Sequence, residues 1–247
     1  MNACVVIPAR YGSTRFPGKP LAMLRGKPVI QHVFEGSSRA GLVRDVIVAT
    51  DSREIFECVE GFGGKAVLTS PDHLSGTDRI AEAVKDADYD IIVNVQGDEP
   101  LIRGEMIDQV VMLLDDDRAD MGTLAVKSSD PSEFTNPNVV KVVTDKEGFA
   151  LYFSRAGIPY HRDGGEGASD GFNNFLKHVG IYSYRQDVLM HLTRLEPAPP
   201  ERTEKLEQLR ALYNGYRIKV GITERETIGV DTPEDLKRVE KWLNSSS

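Results

Sequence analysis

A loop rich in glycine and cations follows the first apolar run of the chain. The stretch IPARYGSTRFPGK, residues 7–19, contains Arg10, Arg15 and Lys19. No acidic residue precedes Glu35, although the whole chain carries a formal charge of -8. A polyphosphate requires cations and free backbone N–H groups close together, and such a loop supplies both. The loop matches neither a Walker A motif nor a dinucleotide-binding fingerprint. A phosphate site and a solvated basic edge therefore both remain open.

Two aspartates lie where they could hold a metal ion. Asp98 belongs to the polar cluster QGDEP, which directly follows an apolar run, and Asp231 precedes a predicted helix. Mg²⁺ prefers the hard oxygens of carboxylates and phosphates. A turn carboxylate that accepts backbone hydrogen bonds is the alternative for Asp98, and a favourable charge at a helix N-terminus is the alternative for Asp231.

A third group of polar side chains lies in the second half of the chain. In KHVGIYSY, His178, Gly180 and Tyr182 alternate with apolar residues, which predicts a strand with one polar face. The glycine leaves a gap through which a ligand could approach the backbone, while the His and Tyr grip its hydroxyls or carboxylate. An ordinary half-exposed strand explains the pattern equally well, and Glu207 and Gln208 fit a solvated helix face.

The elements that position these residues are strands alternating with helices. Short apolar runs typical of buried strands alternate with segments that have apolar residues at helical spacing. The runs are ACVVI (3–7), VIVAT (46–50), AVLT (66–69) and IIVNV (91–95). This order predicts an α/β fold with a Rossmann-like, mainly parallel sheet and helices on both faces. Ligands bind at the carboxyl ends of such strands, so the polar clusters are expected to meet in one crevice.

From about residue 120 the pattern changes. GTLAVK, NVVKVVTD and GFALYFS indicate neighbouring strands with short turns and no helix between them, which predicts a smaller antiparallel extension. Residues 161–173 contain four glycines and indicate a loop, either a lid or a merely flexible segment. Helices are predicted over 203–214 and from Pro233, where Thr232 and Asp235 form a capping box. We expect one domain over 1–247.

Composition excludes several classes of protein. A pI near 5.2 argues against a nucleic-acid binder and against a polybasic membrane patch. No apolar stretch approaches the length of a membrane span or a signal-peptide core. Cys4 and Cys58 are the two cysteines, both in apolar surroundings, which indicates buried thiols in a reducing compartment. We expect the partner to be a small molecule or another protein, and we expect the protein itself to be cytoplasmic.

Taken together, these motifs resemble the family of 3-deoxy-manno-octulosonate cytidylyltransferases, the CMP-Kdo synthetases. The similarity runs almost end to end, through IPARYGSTRFPGKPL, ATDSREI, SGTDR, VNVQGDEP, FSRAGIP, KHVGIYSYR, LEQLRAL and GVDTPEDL. It implies that the anomeric hydroxyl of the sugar acid Kdo attacks the α-phosphate of CTP, giving CMP-Kdo and pyrophosphate for lipopolysaccharide synthesis. It also implies a homodimer, with part of the region 120–215 contributing the sugar site and the interface.

The resemblance also implies site residues, carried over by position. Triphosphate and nucleotide contacts fall on Ala9, Arg10, Ser13, Lys19, Gly76, Arg79 and Gln96. Sugar contacts fall on Arg155, His178, Tyr182, Glu207 and Gln208. Asp98 and Asp231 match Mg²⁺ ligands, and the catalytic roles fall on Arg10, Lys19 and Asp98. Bound metal would lower the pKa of the attacking hydroxyl, so such a site needs no obvious protein general base.

Two other functions stay open. One is a related cytidylyltransferase that uses a different ulosonic acid such as sialic acid, against which the helix with Glu207 and Gln208 argues. The other is a nucleotide-binding regulatory module that performs no transfer. That module would keep the basic loop but would have no reason to keep both Asp98 and Asp231. Release of pyrophosphate discriminates between these classes.

Overall fold

The structure is a computed structural model that describes residues 2–12, 16–160, 162 and 174–245. The strands are β1 (Ala3–Ala9), β2 (Met23–Leu24), β3 (Lys27–Pro28), β4 (Val43–Thr50), β5 (Lys65–Leu68), β6 (Ile91–Asn94), β7 (Met121–Ser128), β8 (Lys141–Thr144), β9 (Ala150–Ser154), β10 (Phe175–Arg185) and β11 (Ile218–Ile222). The α-helices are α1 (Val29–Ser37), α2 (Arg53–Gly61), α3 (Gly76–Val84), α4 (Gly104–Met112), α5 (Pro131–Thr135), α6 (Gln186–Leu192), α7 (Pro199–Glu204), α8 (Gln208–Tyr213) and α9 (Pro233–Ser245).

A mainly parallel sheet forms the centre of the molecule. Its strand order is β11-β7-β10-β6-β1-β4-β5, and β10 runs antiparallel to both of its neighbours. The chain winds from β1 outward to β4 and β5 and then returns to β6 on the other side of β1. The order therefore reverses between β1 and β6, and a crevice for ligands opens at such a switch point.

Both faces of the sheet are covered by helices. Side chains of β1 alternate between two apolar cores, with Val5 and Ile7 in one and Cys4 and Val6 in the other. Helices α1, α2, α4 and α9 pack on the first face, and α3, α6 and α8 pack on the second. Such nearly all-apolar strands are typical of a sheet buried on both sides. The predicted fold class is confirmed.

The antiparallel extension differs from the prediction in its connections. Strand β8 pairs with β10 and with β9, as neighbouring strands should. Strand β7 instead pairs with β10 and β11, and the short helix α5 separates β7 from β8. The prediction of no helix between these strands was wrong. Asp130 caps α5 by accepting a hydrogen bond from the Ser132 N–H at 2.8 Å, and Pro131 occupies the first helical position.

The helix predicted over 203–214 is two helices. Helix α7 ends at Glu204, Lys205 adopts a left-handed conformation with φ 55°, and α8 begins at Gln208. A left-handed residue ends a helix because it turns the chain away from the helical path. The capping box of α9 is present: the Thr232 hydroxyl accepts from the Asp235 N–H, and the Asp235 carboxylate accepts from the Thr232 N–H at 3.0 Å.

The described residues also bear on the predictions from composition. Cys4 is buried as predicted, whereas Cys58 is half-buried, and both are free thiols. None of the helices in the described parts of the chain combines the length and apolar character that a bilayer crossing requires. The loop 161–173 lies outside the described residues apart from Arg162.

Candidate active site

A cavity of about 320 Å³ opens at the carboxyl ends of β1 and β6. The loop after β1, the loop after β6, the start of α3 with the loop before it, and Asp231, two residues before α9, contribute to its walls. The lining residues are Pro8, Ala9, Arg10, Lys19, Pro20, His73, Leu74, Ser75, Gly76, Arg79, Gln96, Gly97, Asp98 and Asp231. Every described residue that was predicted to bind the nucleotide or a metal is among them. Ser13 lies outside the described residues, so its predicted role stays a prediction.

Glycines let the two loops at the switch point approach each other closely. A Cβ at Gly97 would lie 2.8 Å from the Pro8 carbonyl oxygen, and a Cβ at Gly76 would lie 3.3 Å from the Pro8 ring. The first distance is shorter than a van der Waals contact, so a larger residue at position 97 would push the loops apart. The narrow spacing brings the end of β1, the end of β6 and the start of α3 to one cavity.

Lys19 joins the two aspartates that were predicted to hold a metal ion. Its ammonium makes a short hydrogen bond to the Asp98 carboxylate and lies 3.1 Å from Asp231 Oδ1. Burial alone would lower the pKa of Lys19, but the two carboxylates outweigh burial and raise it. Lys19 is therefore a fixed positive charge inside the cavity.

The same pair of carboxylates fits a divalent cation. Both already contact one positive group, so both can reach a single shared cation. No cluster of three or more His, Cys, Asp or Glu suited to a metal occurs in the described part of the chain. Mg²⁺ needs no such cage, because it usually takes one or two carboxylates and completes its shell with water and substrate phosphates. The donor set thus fits Mg²⁺ that arrives together with a phosphate ligand.

Arg79 lines the cavity but its guanidinium is already occupied. It donates to Asp51 Oδ2 at 2.7 Å, to Thr69 Oγ1 at 2.5 Å and to the Ser70 carbonyl at 3.3 Å, and it is 4% exposed. These bonds tie the first turn of α3 to the residues that follow β4 and β5. Arg79 therefore holds the wall of the cavity, whereas the exposed side chain of Arg10 lies at its edge.

A second cavity, of about 70 Å³, adjoins the first. Gln96 lines both cavities, and its amide donates to Asn94 Oδ1 at 3.0 Å. Tyr182 from β10 and Glu207 and Gln208 from the α7–α8 region line the second cavity. Three of the five predicted sugar ligands are thus brought together, directly beside the site predicted for the nucleotide.

Glu207 presents a hydrogen-bonding group that its neighbours leave unused. Its Oε2 accepts from the Thr77 hydroxyl at 2.9 Å. Its Oε1 is buried, lies 4.0 Å from Arg210 Nη2 and has no hydrogen-bond partner among the described residues. Burial raises the pKa of this carboxyl. A buried acceptor without a partner is costly, and a ligand hydroxyl would satisfy it.

His178 lies next to Tyr182, with 5.3 Å between the ring centroids, but does not line either cavity. Burial lowers the pKa of His178 to about 3, so its imidazole is neutral at pH 7. Its Nε2 lies 3.0 Å from the hydroxyl of Thr123, which also lies 2.7 Å from the Ile181 carbonyl. Because the hydroxyl must donate to that carbonyl, the network assigns the proton of His178 to Nε2.

Arg155 is the predicted sugar ligand that lies apart from the others. Its guanidinium donates to the carbonyls of Glu204 at 2.7 Å, Pro137 at 2.9 Å and Lys205 at 3.4 Å. Arg155 therefore fixes the corner between α7 and α8, next to the left-handed Lys205. Neither cavity includes it.

Glu99 follows Asp98 directly in the chain but lines neither cavity, and it was not predicted as a site residue. Burial, with a smaller contribution from the negative charge of Asp98, raises the pKa of Glu99 to about 7. The residue stands in the QGDEP cluster beside a predicted metal ligand, so its position was a signal that motif reading could have used. His73 and Leu74 on the cavity rim were also missed, because neither residue type indicates phosphate chemistry by itself.

The open α/β sheet has a crevice at its switch point, where glycines let two loops come close and two carboxylates can hold a cation. This combination indicates a protein of the nucleotidyltransferase class. Comparison with known proteins agrees. The family model described as "Cytidylyltransferase" matches residues 4–220. A 3-deoxy-manno-octulosonate cytidylyltransferase from Thermodesulfovibrio yellowstonii is 53% identical over 100% of both chains, and one from Geobacter metallireducens is 52% identical over 99% of this chain and 98% of its own length.

Solved structures extend the comparison. A CMP:2-keto-3-deoxy-manno-octonic acid synthetase in complex with CTP covers 100% of both chains with 43% identity and a TM-score of 0.92. A cytidylyltransferase from Leptospira borgpetersenii, at 20% identity and a TM-score of 0.64, shares the fold. The chain belongs to the 3-deoxy-manno-octulosonate cytidylyltransferase family. The resemblance found in its motifs is confirmed.

Proposed function

We propose that this protein transfers CMP from CTP to the anomeric hydroxyl of 3-deoxy-manno-octulosonate (Kdo), giving CMP-Kdo and pyrophosphate. The observation that carries the proposal is the contact between two unlike cavities. One has cations and a carboxylate pair for a triphosphate, the other has hydroxyl and carboxylate groups for a sugar, and Gln96 lines both. A hydroxyl bound in the second cavity would face a phosphate bound in the first.

On the nucleotide side, Arg10, Lys19 and Ser13 are proposed to bind the triphosphate. In the free protein the Lys19 ammonium lies between Asp98 and Asp231. With these carboxylates on Mg²⁺, it would be available to offset the charge that builds on the departing pyrophosphate. Asp98 and Asp231 would hold Mg²⁺ together with the phosphates. When bound, this ion would neutralise the triphosphate and lower the pKa of the attacking hydroxyl.

On the sugar side, Tyr182, Glu207 and Gln208 are proposed to bind the hydroxyls of Kdo. Glu207 Oε1, which has no hydrogen-bond partner among the described residues, would accept a hydrogen bond from a sugar hydroxyl and so orient the sugar. His178 is neutral and its ring lies 5.3 Å from that of Tyr182, and Arg155 fixes the corner next to Glu207 and Gln208. A sugar carboxylate contact from either residue would require its side chain to leave these partners.

The reaction is tested by pyrophosphate release from CTP, Mg²⁺ and freshly dissolved Kdo, with N-acetylneuraminate as the competing sugar acid. We expect release with Kdo and little with N-acetylneuraminate. Release with N-acetylneuraminate in preference to Kdo would assign the chain to another ulosonic acid. Binding of CTP with no release from either sugar would leave the regulatory module as its function.

The setting of the reaction is also a proposal. Activated Kdo feeds lipopolysaccharide synthesis, and we place the enzyme in the cytoplasm, where CTP is available. A homodimer is supported by β9, which pairs on one side with β8 and exposes Leu151 (62%) and Tyr152 (38%). An edge strand with exposed large apolar side chains is a surface that proteins usually cover.

A further inference from the structure

The segment 224–231 carries Asp231 from the end of β11 to the start of α9. It is held at one end by Glu226, whose Oε1 lies 2.8 Å from Lys177 Nζ. At the other end the Val230 N–H donates to the Asp98 carbonyl at 2.8 Å. The position of Asp231 beside Asp98 therefore depends on how firmly this segment is attached to the loop after β6.

Glu99 contacts this segment between those two ends. Glu99 and Thr227 line the same small space of about 10 Å³. A Cβ at Gly229 would lie 3.2 Å from Glu99 Oε1, so the glycine lets the segment pass directly over the carboxyl group. Glu99 thus reaches both Thr227 and Gly229, immediately before Val230 and Asp231.

The surroundings of Glu99 make its presence costly for the fold. Its Oε2 is buried and has no hydrogen-bond partner within the described residues. Glu99 lines a space of about 10 Å³ whose other walls are mainly apolar, with Val95, Ile102, Val179 and Ile181 beside Gln96, Gly180 and Thr227. Burying a carboxyl group with so few partners lowers stability. The cost of burying this carboxyl group is accounted for if the group has a function that an apolar side chain could not provide.

We propose that Glu99 is a positioning residue that anchors the segment 224–231 and thereby holds Asp231 opposite Asp98. The inference rests on the proposed function in so far as the two aspartates bind Mg²⁺. Residues that orient metal ligands in this way commonly change metal affinity or activity by about 10–100-fold when they are removed. The anchoring itself is a property of the free protein and is measurable without metal.

Two measurements on the full chain test the proposal. Hydrogen–deuterium exchange of the free protein reports on residues 227–231, and the Mg²⁺ concentration for half-maximal pyrophosphate release reports on the ion site. In Glu99→Ala we expect exchange to rise at least about tenfold and the Mg²⁺ requirement to rise about 10–100-fold. Thr227→Val removes the Thr227 hydroxyl without changing the Glu99 carboxyl group and should shift both readouts in the same direction.

Two matched variants separate anchoring from other effects. Glu99→Gln keeps a hydrogen-bonding side chain of the same length and should stay within about threefold of the wild type in both readouts, because position is what matters. Glu226→Gln breaks the ion pair at the far end and should leave the Mg²⁺ requirement unchanged.

Several results would overturn the inference. Unchanged exchange at 227–231 in Glu99→Ala would do so, and so would a Mg²⁺ requirement within threefold of the wild type. If the exchange and the Mg²⁺ requirement rose as much in Glu99→Gln as in Glu99→Ala, the charge of Glu99 and not its position would cause the effect. If the wild type released no pyrophosphate but Glu99→Ala still raised the exchange, the proposed function would fail while the anchoring held.

Discussion

Lys19 occupies the position between Asp98 and Asp231 in the free protein, and this arrangement gives its removal two opposite effects. Lys19→Ala should lower kcat by about 10²–10³-fold, the usual loss when one donor to developing charge is removed. The same change leaves two carboxylates facing each other without a cation, so the binding of Mg²⁺ in the absence of CTP should become tighter. Steady-state kinetics and calorimetric Mg²⁺ titration measure the two effects.

Lys27 supplies the control for this variant. It lies in the same basic N-terminal stretch but pairs with Glu35 at 2.7 Å on the surface. Lys27→Ala should change neither kcat nor Mg²⁺ binding. If Lys19→Ala lost less than about fivefold in kcat, Lys19 would pair with the two aspartates in the free protein without taking part in catalysis.

His178 makes stability depend on pH. Its pKa in the folded protein is about 3, below the ordinary value of about 6.5. Below pH 6.5 the unfolded chain binds a proton that the folded protein rejects, so the contribution of His178 falls as pH decreases. The difference in unfolding free energy between the wild type and His178→Gln should shrink from pH 7 to pH 5. Well below pH 6.5, this difference should change by about 1.4 kcal/mol per pH unit.

Urea denaturation of both proteins across this range measures the effect. Parallel stability curves would show that the imidazole is not buried in the neutral form.

The protonation state of His178 also bears on sugar binding, because a neutral His178 donates a hydrogen bond from Nε2 but offers no charge to a carboxylate. The Michaelis constant for Kdo in the wild type should then show no titration assignable to His178 between pH 6 and pH 8.

At the scale of elements, the residue that caps the N-terminus of α3 also lines the candidate active site. The Ser75 hydroxyl accepts from the Asp78 N–H at 3.2 Å, and Ser75 also lines the larger cavity. Ser52 caps α2 in the same way, by accepting from the Ile55 N–H at 3.3 Å, but does not line that cavity. Each Ser→Ala variant should lose about 1 kcal/mol of stability. The Michaelis constant for CTP should rise in Ser75→Ala and stay unchanged in Ser52→Ala.

The matched losses of stability make this comparison informative. Thermal unfolding gives the cost of each cap, and initial-rate kinetics with varied CTP give the functional effect. A rise in the Michaelis constant for CTP in both variants would mean that general loosening of the fold, and not the start of α3, controls nucleotide binding.

The elements differ in how far the sequence could predict them. The buried strands β1, β4 and β6 and the cap of α9 follow from local patterns, namely apolar β-branched runs and the Thr-Pro-x-Asp order. Helix α5 also has a local signal, Asp130 before Pro131, which the alternating strands around it obscured. The break at Lys205 has no such signal, because a lysine rarely adopts the left-handed conformation and tertiary contacts from Arg155 hold this corner.

At the scale of the whole molecule, the site could be listed from the sequence but not assembled. Motif resemblance supplied the residues, and the rule for carboxyl ends of parallel strands predicted one crevice. Neither could predict that β10 runs antiparallel beside β6, which pairs Tyr182 with Asn94 and places the cavity proposed for the sugar next to Gln96. Neither could show that Arg79 and Arg155 are bound by neighbouring groups, because hydrogen-bond partners distant in sequence have no local pattern.

The proposed dimer gives a test at this largest scale. Leu151 is 62% exposed on β9, so it contributes little to the monomer core, and Leu151→Lys should leave thermal stability of the monomer nearly unchanged. The same change puts a charge into an apolar interface and should shift the protein from dimer to monomer, as measured by light scattering after gel filtration. Lys146→Ala, a change at an exposed residue outside β9, is the control and should remain dimeric. A dimer that persisted in Leu151→Lys would place the interface on another surface.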